Sequence, residues 1–471
     1  MKKSSIVVVD NGAATIKLGV VHGKAKVTTR IIQNAIVRSK GDKITYVGQE
    51  IDSCNDFSSL RYRLPFEKGY LADWDAQKAI WDDIFTSQYL GVAPSDASLL
   101  ITEPYFNLPN LQDVYDQFIF EEYEFQSYYR CTPASMIPHS NLFQDESQPP
   151  PECMLVIDSG FSYTHVVPIN NGLIVWPAVR RRFYLNFVPI VLLILWIRID
   201  VGGKLLTNQL KELVSYRQWN MMDETYVMND VKESCCYVSA NFKQDLEMCR
   251  NNPKTNPIVR EYVLPDFSSN KRGHVRTNDE ILADSSQILH MNNERFSVPE
   301  LLFRPDDIGL EQAGLAATIA DSISTLPEEL RGMFWANIGL IGGTTKFPSF
   351  CDRLSAELRS LAPVDCEVKI YEGSEPILEA YNGALAFARV PSFFDYVVTR
   401  EEYLEMGSNA SRRKFRDWKP AERGSKGKEV SRSKTSGQKR DEDEEDEDED
   451  GPPKKAGRGR GRGRGSYRKR G

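Results

Sequence analysis

Val156-Ile-Asp-Ser-Gly-Phe-Ser-Tyr-Thr-His165 is an apolar run that ends on a carboxylate, turns on Ser159-Gly160 and sets off again as a strand through Ile169. It reads as a hairpin with Asp158 at its mouth. A stretch of the same design lies upstream: Ile6-Val-Val-Val-Asp-Asn-Gly12 delivers Asp10 into an Asn-Gly pair, a strong two-residue hairpin signal. The chain then returns as a strand that carries Lys17 back toward the turn. Either unit alone is most simply a surface hairpin with a solvated carboxylate. Two such units can face each other, offer backbone N–H groups to a polyphosphate and hold a hydrated divalent cation between Asp10 and Asp158. A third stretch, Ala336-Asn-Ile-Gly-Leu-Ile-Gly-Gly-Thr-Thr-Lys-Phe-Pro348, runs a strand into Gly342-Gly343 with a helix following from Ser349 to Leu361. Strand, glycine pair and helix N-terminus together receive a phosphate or nucleotide on backbone N–H groups.

Around these turns, length and charge set bounds. A chain of 471 residues exceeds one compact core, so at least two lobes are expected. The formal net charge of −7 is unevenly spread: residues 411–471 hold 21 Lys/Arg and 13 Asp/Glu, which leaves 38 and 53 in the first 410, a net of −15. An acidic body makes poor non-specific contact with nucleic acid and favours basic partners such as histones. Eight cysteines show neither zinc-ligand spacing nor a disulfide framework, and the adjacent Cys235-Cys236 pair suits a reducing compartment. Met1-Lys-Lys-Ser-Ser leads straight into the first strand, with no room for a signal peptide.

The remaining segments are read in order. Residues 38–49 form a polar loop, Ala76 to Phe85 a helix behind an Asp cap, and Leu99 to Thr102 a buried strand closed at Pro104. Leu111 to Phe125 is an aromatic-rich amphipathic helix, and its aromatic face belongs in a core rather than under nucleobases. Gly172 to Val179 is a strand, Val201-Gly-Gly-Lys opens a helix, and Asp223 to Phe242 is one long helix carrying Lys232 and Glu233. Residues 251–278 read as loop and Ile377 to Ala388 as a helix. The apolar core from Phe187 to Ile197 is 11 residues long and contains Pro189, too short to span a bilayer. From Ser408 the chain has no hydrophobic period: a basic segment, ten acidic residues from Asp441 to Asp450, and an Arg-Gly repeat from Gly457 to Gly465. Such composition cannot bury enough apolar surface to fold. The acidic run can meet a basic histone surface and the Arg-Gly repeat can touch nucleic acid.

Taken in order, these pieces resemble the actin family. The resemblance rests on the two Asp hairpins, Lys232-Glu-Ser-Cys-Cys-Tyr-Val238, Asn293-Glu-Arg-Phe-Ser-Val-Pro-Glu-Leu-Leu-Phe-Arg-Pro305 and Gly342-Gly-Thr-Thr-Lys-Phe-Pro348, and runs from about Ile6 to Ala388. Tyr105-Phe-Asn, Phe120-Glu-Glu-Tyr, Asp200-Val-Gly-Gly-Lys-Leu-Leu-Thr-Asn, Tyr262-Val-Leu-Pro-Asp-Phe-Ser and Val397-Val-Thr-Arg-Glu are similar to a nuclear actin-related class rather than to conventional actin. The resemblance implies an α/β fold of the actin and hexokinase type: two lobes around a nucleotide cleft, each on a mixed five-stranded sheet. Lobe I is expected over 1–150, completed by 377–407, with a small subdomain near 33–55. Lobe II is expected over 151–376, with a subdomain near 201–310, and a disordered tail over 408–471. The implied nucleotide contacts are Asp10, Gly12, Lys17, Asp158, Gly160, Thr164, His165, Gly203, Lys232, Glu233, Gly342, Gly343, Thr344, Lys346 and Phe347, with ATP or ADP as ligand. Mg2+ or Ca2+ is implied on Asp10 and Asp158 through water.

Departures from the family pattern bear on activity. Ala13 and Ala14 stand where a Ser-Gly pair is usual, Phe161 where a second Asp is usual, and Asn229 where an Arg is usual. No Gln occupies the stretch from Cys131 to Ala134, where the family positions its attacking water. Positioning and charge stabilisation supply nearly all phosphoryl-transfer catalysis, so the reading is nucleotide binding without efficient hydrolysis. The implied role is a non-catalytic nuclear scaffold in a remodeller that exchanges an ordinary nucleosomal histone for its Z-type variant. Its expected partners are the motor subunit, a zinc-finger subunit and histones, with nucleic-acid contact through the tail, no membrane, some cytoplasmic presence and no filament. The rival readings are an active ATPase and a nucleic-acid-binding protein acting through the Arg-Gly tail. Residues 182–198 read as an insertion into the family pattern.

Overall fold

A computed structural model describes residues 5–415, except 24, 42, 55–59, 145–148, 179–197, 254, 267–271, 278 and 282–285. The chain divides into a folded body, Met1–Glu422, and a second unit, Arg423–Gly471, which lies outside the described residues. Two six-stranded sheets organise the body. In the first, strands Val398–Thr399, Ser127–Cys131, Ala97–Thr102, Ser5–Asn11, Thr15–Val21 and Arg30–Gln33 lie side by side. Ser5–Asn11 runs antiparallel to Thr15–Val21 and parallel to Ala97–Thr102, which is itself parallel to Ser127–Cys131. In the second, Cys153–Ser159 runs antiparallel to Thr164–Asn170 and parallel to Ile338–Ile341, which is itself parallel to Ile370–Glu372. The two sheets therefore repeat one topology, a hairpin followed by two parallel strands. Equivalent positions at the carboxyl ends of their first strands hold Asp10 and Asp158, and the ends of parallel strands are where open α/β sheets collect ligands. Against the expected five strands, each sheet has six: the first adds the two-residue edge strand Val398–Thr399, and the second sets two two-residue strands, Leu173–Ile174 and Arg198–Ile199, against Thr164–Asn170 beside its other four.

The central strands Ser5–Asn11, Ala97–Thr102, Cys153–Ser159 and Ile338–Ile341 are buried along nearly their whole length, and largely apolar, because both faces are covered. Val7, Val8, Val9, Leu99, Leu100 and Ile101 are fully buried in one cluster with Trp81, Tyr115 and Phe120. Leu155, Ile157, Ile338 and Leu340 are buried beneath Phe334, Phe350 and Leu354. A third cluster sets Tyr105, Ala134, Ile137 and Phe143, which follow strands Ala97–Thr102 and Ser127–Cys131 in the chain, against Val156, Val167 and Ile341 of the second sheet.

Several elements differ from the sequence reading. Asn11 still pairs with Ile16, so the first link is Gly12–Ala14, and neither Asn11 nor Gly12 takes a positive φ; the Asn-Gly pair is not a two-residue turn. The supposed loop 38–49 holds strand Thr45–Val47, which pairs with Ile36–Arg38, and the start of a 3-10 turn, Gly48–Ser53. The long helix expected from Asp223 to Phe242 is two, Thr225–Cys235 and Phe242–Asn251. Between them Tyr237 and Val238 donate their N–H groups to Arg295 and Pro348 carbonyls, and Asn241 caps the second helix by accepting from Gln244. Residues 251–278, read as loop, contain strands Arg260–Val263 and His274–Val275. The strand expected from Gly172 to Val179 is two residues, Leu173–Ile174, before a 3-10 turn. The folded body also runs past Ser408: Asn409–Lys414 is helical and Phe415 is buried against Tyr128 and Tyr129. Of the expected insertion 182–198, all but Arg198 lies outside the described residues, as does the tail from 416. Among the described residues no helix is long and apolar enough to cross a membrane.

Candidate nucleotide site

Register explains the first turn. Asp10 and Lys17 are direct cross-strand partners, so the ammonium lands 3.0 Å from Asp10 Oδ2, with both side chains about nine-tenths buried. Thr102, at the end of the neighbouring parallel strand, donates its hydroxyl to Asp10 Oδ1 at 2.7 Å and accepts the Asn11 N–H at 3.0 Å. Asn34 donates to the Gly12 carbonyl at 2.9 Å and fixes the link.

The second turn, Gly160–Tyr163, joins strands that pair Asp158 with His165 and Ser159 with Thr164. Glycines bring two further elements against it. Gly342 lies at φ 95°, outside the range other residues adopt, and a Cβ there would sit 2.3 Å from the Ser159 carbonyl oxygen. A Cβ on Gly202 would come within 2.7 Å of the Phe161 and Tyr163 backbone. The helix Gly203–Arg217 therefore starts on the turn itself: Gly203 and Lys204 donate their N–H groups to the Gly160 and Phe161 carbonyls. Thr344 donates its hydroxyl to the same Gly160 oxygen at 2.9 Å. Gly160, Gly203, Gly342 and Thr344 thus meet at one point. At Gly160 and Gly343 a Cβ would make only ordinary contacts, at 3.8 Å with the Tyr163 carbonyl oxygen and at 3.5 Å with Ile377, so neither glycine is required by a close approach of the protein itself.

Asp158 accepts a hydrogen bond at Oδ2 from the Tyr105 hydroxyl at 2.8 Å, and that hydroxyl accepts the Ala134 N–H at 3.0 Å. Burial pushes the Asp158 carboxyl up to about 6, and the negative charge of Asp10 adds to the rise; the Tyr105 bond and Lys17 oppose it. That coupling joins the Asp10 and Asp158 hairpins at one place. His165 packs on the Tyr105 ring at 4.5 Å and edge-on to Tyr163 at 6.2 Å. Burial drives its imidazole down to about 3, helped by Arg198, whose guanidinium lies 3.7 Å from the Tyr163 ring centre. His165 is neutral at physiological pH.

Beside Gly203, Lys232 donates to Asn229 at 2.8 Å, Thr207 at 2.9 Å and the Gly203 carbonyl at 3.3 Å. Burial pulls its ammonium below the usual lysine range. Asn229 in turn donates to Glu233 at 2.7 Å. Phe347 is buried directly after the 3-10 turn Gly343–Lys346. The helix expected to follow the glycine pair begins only at Phe350, so the third turn meets the cleft with a 3-10 turn instead of a helix N-terminus.

Two named residues have other partners. Thr164 is fully buried, bonded to Ser159 and the Val201 carbonyl, and holds the turn from behind. Lys346 pairs with Glu375 at 3.0 Å on the exposed side of its turn. Sequence reasoning missed Thr102, Asn34 and Arg198, and used Tyr105 only as a class signature. Thr102 and Tyr105 follow the strand next to Ser5–Asn11, and that adjacency is the signal that finds them. Arg198 was assigned to the insertion, yet it pairs with His165 in the sheet. The residues present fit a nucleotide. The expectation of a hydrated cation on Asp10 and Asp158 meets three carboxylate oxygens already bonded to Thr102, Lys17 and Tyr105.

The Actin family model matches residues 1–185 and 190–416. Actin-like protein ARP6 of Cryptococcus neoformans is 48% identical over 436 residues, covering 88% of this chain and 85% of the relative. Actin-related protein 6 of Drosophila melanogaster is 37% identical, covering 86% and 98%, and that of Arabidopsis thaliana is 36% identical, covering 88% and 99%. Proteins of this fold generally bind a nucleotide and a divalent cation. With the duplicated hairpins, the glycines that meet at the second of them and relatives matched over most of their length, the chain belongs to the actin family, in its actin-related protein 6 group.

Proposed function

We propose that the chain is a non-catalytic, adenine-nucleotide-binding scaffold of the nucleus, a subunit of a SWR-type ATP-dependent remodeller that exchanges an ordinary nucleosomal histone for its Z-type variant. ATP or ADP lies with its phosphates between the Gly12 and Gly160 turns beside Lys17, and its nucleoside toward Lys232, Glu233, Gly343 and Phe347. The observation that carries the reading is the survival of this cradle without the groups that turn nucleotide over. Ala13 and Ala14 offer no hydroxyl to a terminal phosphate, Phe161 no carboxylate and Asn229 no cation. Where an attacking water would be positioned, the Ala134 N–H is bonded to the Tyr105 hydroxyl. What remains binds more readily than it catalyses.

The body serves as a rigid platform for the motor subunit and a zinc-finger partner, and the acidic run of the tail meets histone. The link between strands Ile36–Arg38 and Thr45–Val47, residues 39–44, is too short to grip a following subunit, which supports a protein that does not polymerise. The test is affinity purification of the tagged chain from nuclear extract. Recovery of a remodeller motor, a zinc-finger subunit and Z-type histone is expected; a preparation of the chain alone, or of cytoplasmic filaments, would defeat the proposal. Any nucleic-acid binding is expected to disappear when residues 441–471 are deleted.

A further inference from the structure

The Tyr105 hydroxyl stands in a position with consequences for what the cleft accepts. Tyr105 follows strand Ala97–Thr102 of the first sheet, and Asp158 ends strand Cys153–Ser159 of the second, so their 2.8 Å hydrogen bond crosses the body between its two halves. The Ala134 N–H donates to the same oxygen, which leaves the phenol proton for the carboxylate. Tyr105 is 94% buried, and its ring packs tilted against His165. A second crossing lies beside it: the Tyr163 ring rests where a Cβ on Gly69 would be, 2.3 Å away, on the hairpin of strands Phe66–Glu67 and Tyr70–Leu71.

A hydrated divalent cation needs acceptors for its waters and a surplus of negative charge. Here Asp10 Oδ1 accepts from Thr102, Asp10 Oδ2 is paired with Lys17, and Asp158 Oδ2 accepts from Tyr105, so each of the three has one lone pair fewer to offer cation-bound water. The fourth oxygen, Asp158 Oδ1, faces Gly160. Lys17 also cancels one of the two carboxylate charges. Position 161, next to the Gly160 turn, is Phe. Among the described residues no three His, Cys, Asp or Glu side chains converge to hold a metal ion.

We propose that Tyr105 takes over the joining role of the divalent cation, tying the two halves together through Asp158, so that this chain holds its nucleotide on Lys17 and the glycine turns without a metal ion. This rests on the nucleotide reading above, and the experiment separates the two. ATP and ADP affinities of the full-length chain and of Tyr105→Phe are measured in excess Mg2+ and in excess EDTA. The wild type is expected to bind within about threefold in the two buffers, and Tyr105→Phe to bind about tenfold or more tightly in Mg2+ than in EDTA, because the freed carboxylate oxygen can then accept from cation-bound water. A wild type that loses about tenfold or more in EDTA, or a variant that stays indifferent to Mg2+, overturns the proposal. If the variant does not fold, the wild-type comparison decides alone. If neither protein binds nucleotide, the nucleotide reading falls and metal-free nucleotide binding falls with it, and the unfolding temperature of the nucleotide-free chains decides whether Tyr105 stands in for the cation between the two halves. Mg2+ leaving the wild type unchanged and raising Tyr105→Phe upholds it; any other pattern overturns it.

Discussion

Gly342 carries the tightest single constraint on the site. Any side chain there must enter the Ser159 carbonyl and also adopt φ 95°, so Gly342→Ala is expected to cost about 3 kcal/mol and to abolish nucleotide binding, read by denaturant unfolding and nucleotide titration. His165 gives a pH signature. Its folded pKa, about 3, is depressed below the ordinary value of 6.5, so its contribution is present above 6.5 and is lost as pH falls through that window. Asp158 works in the opposite sense, since its raised pKa favours the fold on the acid side of about 6. The comparison is therefore wild type against His165→Gln. The wild type's advantage is expected to shrink by on the order of 2 kcal/mol between pH 7.5 and pH 5, measured by urea unfolding. At this scale the sequence named the charged residues and glycines but not their partners. Asp10, Lys17 and Asp158 stand in local patterns, whereas Thr102, Tyr105 and Ala134 reach them only through strand pairing, which no local pattern displays.

Among elements, strand Ser127–Cys131 holds a buried charge cluster. Arg130 is paired with Glu103 at 3.1 Å and Asp116 at 2.9 Å, Tyr128 also donates to Asp116, and Gln112 and Asn107 donate to Glu103. Burial raises both carboxyls, Asp116 to about 6, so removing the cation leaves two charges that water cannot reach. Arg130→Met is expected to destabilise by about 3–5 kcal/mol at pH 7.5, and by visibly less at pH 5.5, where the carboxyls of the variant take up protons. Helix Asn409–Lys414 closes over the same cluster, with the Arg130 guanidinium 5.4 Å from the Phe415 ring and Arg412 bonded to Asp113. A chain ending at 408 is expected to lose about 3–5 kcal/mol relative to one ending at 416, the difference being read by chemical denaturation. The sequence placed the boundary at 408 because one aromatic in a basic stretch gives no periodic signal, and a single anchored ring needs none. Helices with strong apolar spacing, such as Trp74–Ile84 and Phe350–Leu361, were legible, while the break after Cys235 depends on hydrogen bonds to Arg295 and Pro348, distant in sequence.

For the whole molecule, the repeated topology explains why so much of the fold was readable. Two copies of strand, carboxylate, turn and strand leave two visible signatures, and placing them at equivalent ends of twin sheets makes them converge. Under the proposed function these turns are a nucleotide cradle built from backbone, in a cleft where alanine, phenylalanine and asparagine stand in place of the groups of turnover. Binding without chemistry is the central claim, and it is tested most directly by a single-turnover quench with protein in excess over γ-labelled ATP. The account predicts that the label is bound and is recovered as intact ATP after hours. Label appearing as free orthophosphate in proportion to the bound fraction, or never binding at all, would contradict it.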